Sequence, residues 1–262
     1  PKRLKDTLRR SVSNPYQRAQ LFEQMERCKD VLNTIEKTLD NCDDSHIQNE
    51  GEYVNIVNDC ILFKQNVLIA KGFDEIDKES IISFNRRAKR MGLEQEYMTI
   101  DVWAHASRSN GDWDNIRGNF SLALQLAHGL QRQGVWKTHT TLRAVVAVEI
   151  DQGADASLQE GAISGVHDRL ALLLKTIRVF ATLTVFAIEG AGTGTIERDF
   201  NDVVEKQSRT TAISFLPMPA LPGHNGQAES VEFIRKLDDL TKDLPPTLLV
   251  LSANQATMSV EL

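Results

Sequence analysis

The sequence predicts an α/β protein: parallel sheet flanked by helices on both sides. Three observations predict it. Near the carboxy end, T-T-A-I-S-F-L-P-M-P-A-L-P-G (Thr210–Gly223) and P-P-T-L-L-V-L-S (Pro245–Ser252) each hold a short apolar run suited to a buried, pleated surface. Between them, Ala228–Asp243 places Val231, Ile234, Leu237 and Leu240 on one helical face. Upstream, from Asn66 onward, apolar runs alternate with helical patterns in the same way. Continuous apolar strands separated by helices are the signature of a parallel sheet covered on both faces and joined by right-handed crossovers.

The elements follow in order. Pro1–Ser13 carries Lys2, Arg3, Lys5, Arg9 and Arg10 against Asp6. A tether to anionic headgroups is one reading. A solvated face is favoured, because the segment is short and has no aromatic anchor. Asn14 caps and Pro15 opens a helix reaching about Leu39, with Leu21, Met25, Cys28, Leu32 and Ile35 on its apolar stripe. Asp40–Gly51 is an acidic surface loop. As a calcium loop it lacks the required glycine at its sixth position, where Ser45 stands.

Glu52–Lys64 is a second helix, Asn66–Lys71 a short strand, and Asp77–Met91 a helix with Arg86, Arg87, Lys89 and Arg90 on a basic face, stopped by Gly92. Met98–His105 is the next strand and Ser107–Asn115 a polar turn. Helix Ile116–Gln133, strand Leu142–Ile150, helix Leu158–Arg178 and strand Val179–Ile188 complete the alternation. Pro217 and Pro219 end the strand that precedes the last helix, because proline donates no ladder hydrogen bond.

The totals narrow the function. A chain of 262 residues with 41% hydrophobic and 25% charged residues can bury an ordinary core. A net charge of −6 argues against a general nucleic-acid binder. No apolar run approaches the roughly 18–20 residues that span a bilayer. The basic start is followed by no secretory h-region. Cys28, Cys42 and Cys60 are odd in number and lack C-x-x-C spacing, so they read as reduced thiols with no disulfide or zinc site.

Three places invite a chemical reading. Asp101 lies inside an apolar strand, where an isolated carboxylate is costly, so it is either paired or at a strand end. No histidine or cysteine at a meaningful spacing supports a catalytic role. Gly190, Gly192, Gly194 and Thr195, in E-G-A-G-T-G-T, follow a strand and precede a helix, the setting of a phosphate cradle. The run matches neither G-x-G-x-x-G nor the P-loop, since no lysine follows, and a flexible connection is favoured. There is no H-E-x-x-H and no G-x-S-x-G, so neither a catalytic set nor a metal is predicted. Pro217–Pro222 could form a substrate loop at a strand's C-terminal end, but prolines there more often stiffen a connection.

Three stretches in order carry a resemblance: M-T-I-D-V-W (Met98–Trp103), the helix ending at Trp136 and Lys137, and S-F-L-P-M-P followed by L-L-V-L-S-A-N-Q. They resemble the cytoplasmic carboxy-terminal domain of cation–chloride cotransporters over roughly Asn66–Leu262. The family usually has a second tryptophan after Trp103, where this chain has Ala104. The motif residues carried over are Asp101, Trp103, Pro217, Met218 and Pro219.

The resemblance implies a universal-stress-protein-like fold of two related halves. It places the first at residues 1–97, with a helical start, and the second at 98–262. It also implies a non-catalytic regulatory and dimerising role without cofactor, beside a transmembrane domain of the same polypeptide at the cytoplasmic side of the membrane. The parent transporter would carry chloride with sodium, potassium or both. Trp113, Pro217 and Leu221 are then candidates for dimer or domain contact, indole being suited to interfaces. Because Pro1 is not an initiating residue, the chain is expected to be an excised piece. The alternative is a freestanding universal-stress-type nucleotide-binding protein, using Gly190–Thr195.

Overall fold

The computed structural model describes residues 50–92, 97–106, 113–150, 156–189, 196–222 and 227–253. The expected basic start, the first helix to Leu39, Gly190–Thr195 and Gly223–Gly226 lie outside these residues, as does most of the acidic loop, whose last two residues begin the first described helix.

That helix, α1 (Glu50–Leu62), leads to β1 (Val67–Lys71) and a 3-10 turn at Phe73–Glu75. Helix α2 (Lys78–Met91) is capped at its start by Asp77, whose carboxylate accepts from the Glu79 N–H at 2.9 Å. It stops, as its sequence predicts, at left-handed Gly92, whose N–H returns to the Ala88 and Lys89 carbonyls. Then come β2 (Met98–Ala106), α3 (Trp113–Gln131), α4 (Gly134–His139), β3 (Thr140–Ile150), α5 (Ala156–Ile177), β4 (Thr182–Glu189), α6 (Ile196–Gln207), β5 (Thr211–Pro217), α7 (Gln227–Thr241) and β6 (Thr247–Leu251).

Among the described residues, six strands form one sheet in the order β1-β6-β5-β2-β3-β4. All neighbours from β6 to β4 run parallel. The exception corrects the sequence reading. Strand β1 is antiparallel to β6, from Val67 opposite Leu251 to Lys71 opposite Thr247. An edge strand has one neighbour and lies away from its successor in the chain, so the crossover rule for adjacent parallel strands does not fix its direction. Antiparallel edges on parallel sheets are common for that reason. This strand, from the region assigned to residues 1–97, thereby shares a sheet with strands from 98–262.

Several boundaries also differ from the sequence pattern: α3 starts at Trp113, inside the expected polar turn, β3 starts two residues early at Thr140, and two further shifts have a visible backbone cause. The apolar pair Val179–Phe180 looks like the start of a strand, but Arg178 adopts φ 57° and β4 begins only at Thr182. The helix expected to run to Gln133 ends at Gln131, and a separate short helix starts at Gly134, with φ 42°.

The alternation along each strand splits the core in two. On one face Ile100, Val102, Ala144, Val146, Ile213 and Phe215 pack against Phe120 and Leu124 of α3 and Leu170 and Leu174 of α5. On the other, Trp103, Val145, Leu216 and Leu249 pack against Val54 and Val57 of α1, Phe200 and Val204 of α6, and Phe233 and Leu237 of α7. Each such side chain contributes about 1.5–3 kcal/mol relative to exposure. The two faces account for the unbroken apolar runs of β2, β3 and β5.

Candidate functional site

Asp101 and the group Trp103, Pro217 and Met218 fall at two levels of the sheet that share strands β2 and β5. At the N-terminal level lies Asp101, fully buried on β2. Directly opposite it in the parallel ladder is Arg143 of β3. Arg143 Nε donates to Asp101 Oδ1 at 2.9 Å and Nη2 donates to Oδ2 at 2.6 Å, a two-pronged charge-assisted pair. Thr211 at the head of β5 donates its hydroxyl to Oδ2 at 2.5 Å, and Ser208 in the preceding turn does so at 3.4 Å. Arg143 Nη2 also donates to the Gln207 carbonyl at 2.9 Å, at the last residue of α6. The Thr211 and Thr99 hydroxyls meet at 3.1 Å.

The buried carboxylate is thus paired, one of the two outcomes the sequence allowed. Its oxygens are filled by donors from β3, β5 and the α6–β5 turn, and it has no solvent face from which to accept a substrate proton. What the arrangement does is mechanical. It ties three strands and a turn to one charge. Sequence reasoning found Asp101 and missed Arg143, Ser208 and Thr211. The available signal was Arg143 itself, a lone charge at the start of the apolar run L-R-A-V-V-A-V.

At the C-terminal level lies a cavity of about 110 Å³. Trp103, Ala104 and His105 of β2, Leu216–Met218 of the β5 end, Asn119, Phe120 and Ala123 of α3, and Val250 of β6 line it. Its position follows from topology. The chain builds outward from β2 through β3 to β4, then returns to lay β5 on the other side of β2. Open α/β sheets leave a crevice at such a switch point, at the C-terminal ends of the strands.

The cavity walls are well ordered by contacts. The Trp103 ring stacks on Phe186 of β4 at 6.3 Å and meets Phe200 of α6 edge-on at 6.0 Å. The His105 ring meets Phe200 at 5.7 Å. Asn119 Oδ1 accepts from the Ser252 N–H at 2.6 Å, and the Met218 N–H reaches the Val250 carbonyl at 3.0 Å. Among the described residues, the buried Trp103 Nε1–H has no hydrogen-bond partner, nor has the buried Ser214 hydroxyl. Asn119 is a site residue that sequence reasoning missed, because polar residues recur along this helix and nothing marks the one that faces the sheet.

The structure therefore brings Trp103, Pro217 and Met218 together around one cavity and sets Asp101 apart from them. Pro219 and Leu221 continue past the strand end, half-buried, with Leu221 packed against the second core face. Trp113 opens α3, and its side chain lies outside the described residues. Two larger depressions flank α7. One of about 410 Å³ includes Ala220, Pro222 and Phe233, and one of about 550 Å³ is lined by Lys71, Asp74, Asp238 and Lys242 among others. Among the described residues, no cluster of three or more histidine, cysteine or acidic side chains could hold a metal. No described helix is long and apolar enough to cross a membrane.

No family model matches the chain. Over 212 residues, 76% of this chain, it is 27% identical to solute carrier family 12 member 9 from Danio rerio, of which it spans 22%. A solved protein of the universal stress protein family from Burkholderia pseudomallei aligns with 57% of this chain and 93% of its own, at 13% identity and a TM-score of 0.28. The α/β architecture rests on the strand order described above rather than on that alignment. The likeness to cation–chloride cotransporters, first carried by three short stretches, extends across most of the chain.

Proposed function

We propose that this chain is a cytoplasmic, non-catalytic module of an electroneutral cation–chloride cotransporter, one that dimerises and regulates the parent transporter. The observation that carries the reading is the alignment with a solute carrier family 12 protein over 76% of the chain. The transmembrane part of the same polypeptide moves the ions, chloride with sodium, potassium or both. The α/β module holds two transporter chains together and passes conformational change between them. Trp113 and the Pro217–Leu221 rim serve as contacts to a neighbouring domain. The packing of Asp101 supports a non-catalytic reading, because its carboxylate is committed to Arg143 and Thr211.

Two measurements test this. In sedimentation velocity at tens of micromolar, the chain is expected at twice its 29.3 kDa mass. In the full-length transporter, deleting the equivalent of residues 50–253 is expected to abolish or deregulate chloride-dependent rubidium uptake and to lower the cross-linked mass to that of a monomer. Unchanged uptake and unchanged mass after deletion would overturn the proposal.

A further inference from the structure

The sheet has two edges, and they differ in how they are protected. Strand β1 is five residues long and ends in Lys71, whose ammonium pairs with Asp238 at 2.5 Å. Short strands and lysines are the usual means of blunting an edge against unwanted pairing. Strand β4 has neither. It is eight residues long, T-L-T-V-F-A-I-E, free of proline, and uncharged from Thr182 to Ile188. It pairs along its whole length with β3, from Thr182 opposite Arg143 to Glu189 opposite Ile150. Among the described residues its other side meets no strand.

Its side chains from Thr182 to Ile188 are half-buried or exposed, whereas those of β3 are mostly buried. Just before it, Phe180 is 87% exposed, the most exposed large apolar residue described. A long, regular, uncharged edge beside an exposed aromatic ring is a surface built to be covered.

We propose that a second copy of this chain covers it, by antiparallel pairing of β4 with β4 about a twofold axis, to give one continuous sheet of twelve strands. Centred on Val185, the strand pairs its whole uncharged run, Thr182–Ile188, with itself. With Val185 opposite Val185, Thr184 faces Phe186, Leu183 faces Ala187 and Thr182 faces Ile188. Glu189, its one charge, faces Ala181 rather than another acid. Opposed residues share parity, so the faces of the two sheets continue into each other. Thr184–Phe186 is a β-branched and aromatic pair of the kind that stabilises antiparallel ladders. A surface that pairs with itself closes after two copies and leaves no edge there to propagate. This identifies the surface through which the proposed dimer forms, and it rests on that reading.

The test uses the whole chain. Ala187→Lys, at an exposed position, is expected to leave the circular dichroism spectrum unchanged and to convert the dimer to monomer at concentrations where the unmodified chain is dimeric. Mild oxidation of Val185→Cys is expected to give a covalent dimer above the background of the native cysteines. Thr182→Cys is not, because its two copies would lie about 20 Å apart at roughly 3.3 Å per residue. A dimer that survives Ala187→Lys and does not cross-link through Val185→Cys would place the interface elsewhere, leaving the dimeric reading intact. Cross-linking at Thr182→Cys in preference to Val185→Cys would overturn the register. An unmodified chain that stays monomeric at high concentration would overturn this surface and the dimer together.

Discussion

Replacing Arg143 by methionine removes the guanidinium and keeps most of the apolar stem. Asp101, with no exposed surface, then keeps the hydroxyls of Thr211 and Ser208 but loses both charge-assisted bonds, at 2.9 and 2.6 Å. The Gln207 carbonyl loses its donor as well. Leaving one partner of a buried ion pair uncompensated costs about 3–5 kcal/mol. In a domain of this size each kcal/mol lowers the melting temperature by about 2–4 °C, so the expected drop is about 6–20 °C.

Thermal and urea melts followed by circular dichroism give the number. Hydrogen exchange locates it, with the α6–β5 turn at Gln207–Thr211 losing protection first. The double variant Asp101→Leu with Arg143→Met separates charge from packing. Removing both partners of a buried pair is often neutral, so the double variant is expected to recover most of the loss. A single Arg143→Met variant that melts within about 2 °C of the unmodified chain would refute the reasoning, and so would a double variant no better than the single.

Two further outcomes follow from the cavity and the glycine run. Trp103→Ala, at a residue 1% exposed, is expected to cost about 3–5 kcal/mol in a urea melt and to flatten the near-ultraviolet dichroism that its stacking on Phe186 produces. Trp103→Phe should cost less than half as much. Millimolar ATP is expected to leave the melting temperature unchanged, whereas a ligand at a hundred times its dissociation constant would stabilise by about 2.7 kcal/mol. A clear shift, removed by bulky residues at Gly192 and Gly194, would return the chain to the nucleotide-sensing reading.

The strands and helices were legible because a strand buried on both faces must be apolar throughout, while the helices between them need only one apolar face. Boundaries were less so. Val179 and Phe180 are as apolar as the strand they precede, and only the left-handed Arg178 and the exposure of Phe180 set them outside it. The direction of β1 was not legible at all, since V-L-I-A-K fits a ladder of either sense. At the site, the cost of burying a carboxylate made a partner for Asp101 foreseeable. Its identity depended on register between strands about forty residues apart, which local periodicity does not carry. The meeting of Trp103 with Pro217 and Met218 depended on β5 returning to the side of β2 away from β3.

The two levels of the site are linked by that register. Asp101 and Trp103 are two residues apart and share a face of β2, so whatever fixes one fixes the height of the other. Sliding β2 by one residue against β3 would turn Asp101 onto the opposite face, among Ile100's neighbours and away from Arg143, and would turn Trp103 away from Phe186 and Phe200. Apolar side chains alone discriminate weakly here, because both faces are apolar and a slip exchanges one buried set for another. A charge pair with one acceptable position discriminates strongly. The Asp101–Arg143–Thr211 cluster therefore sets the register of β2 against β3 and β5, and the cavity at the far end of these strands is placed by it.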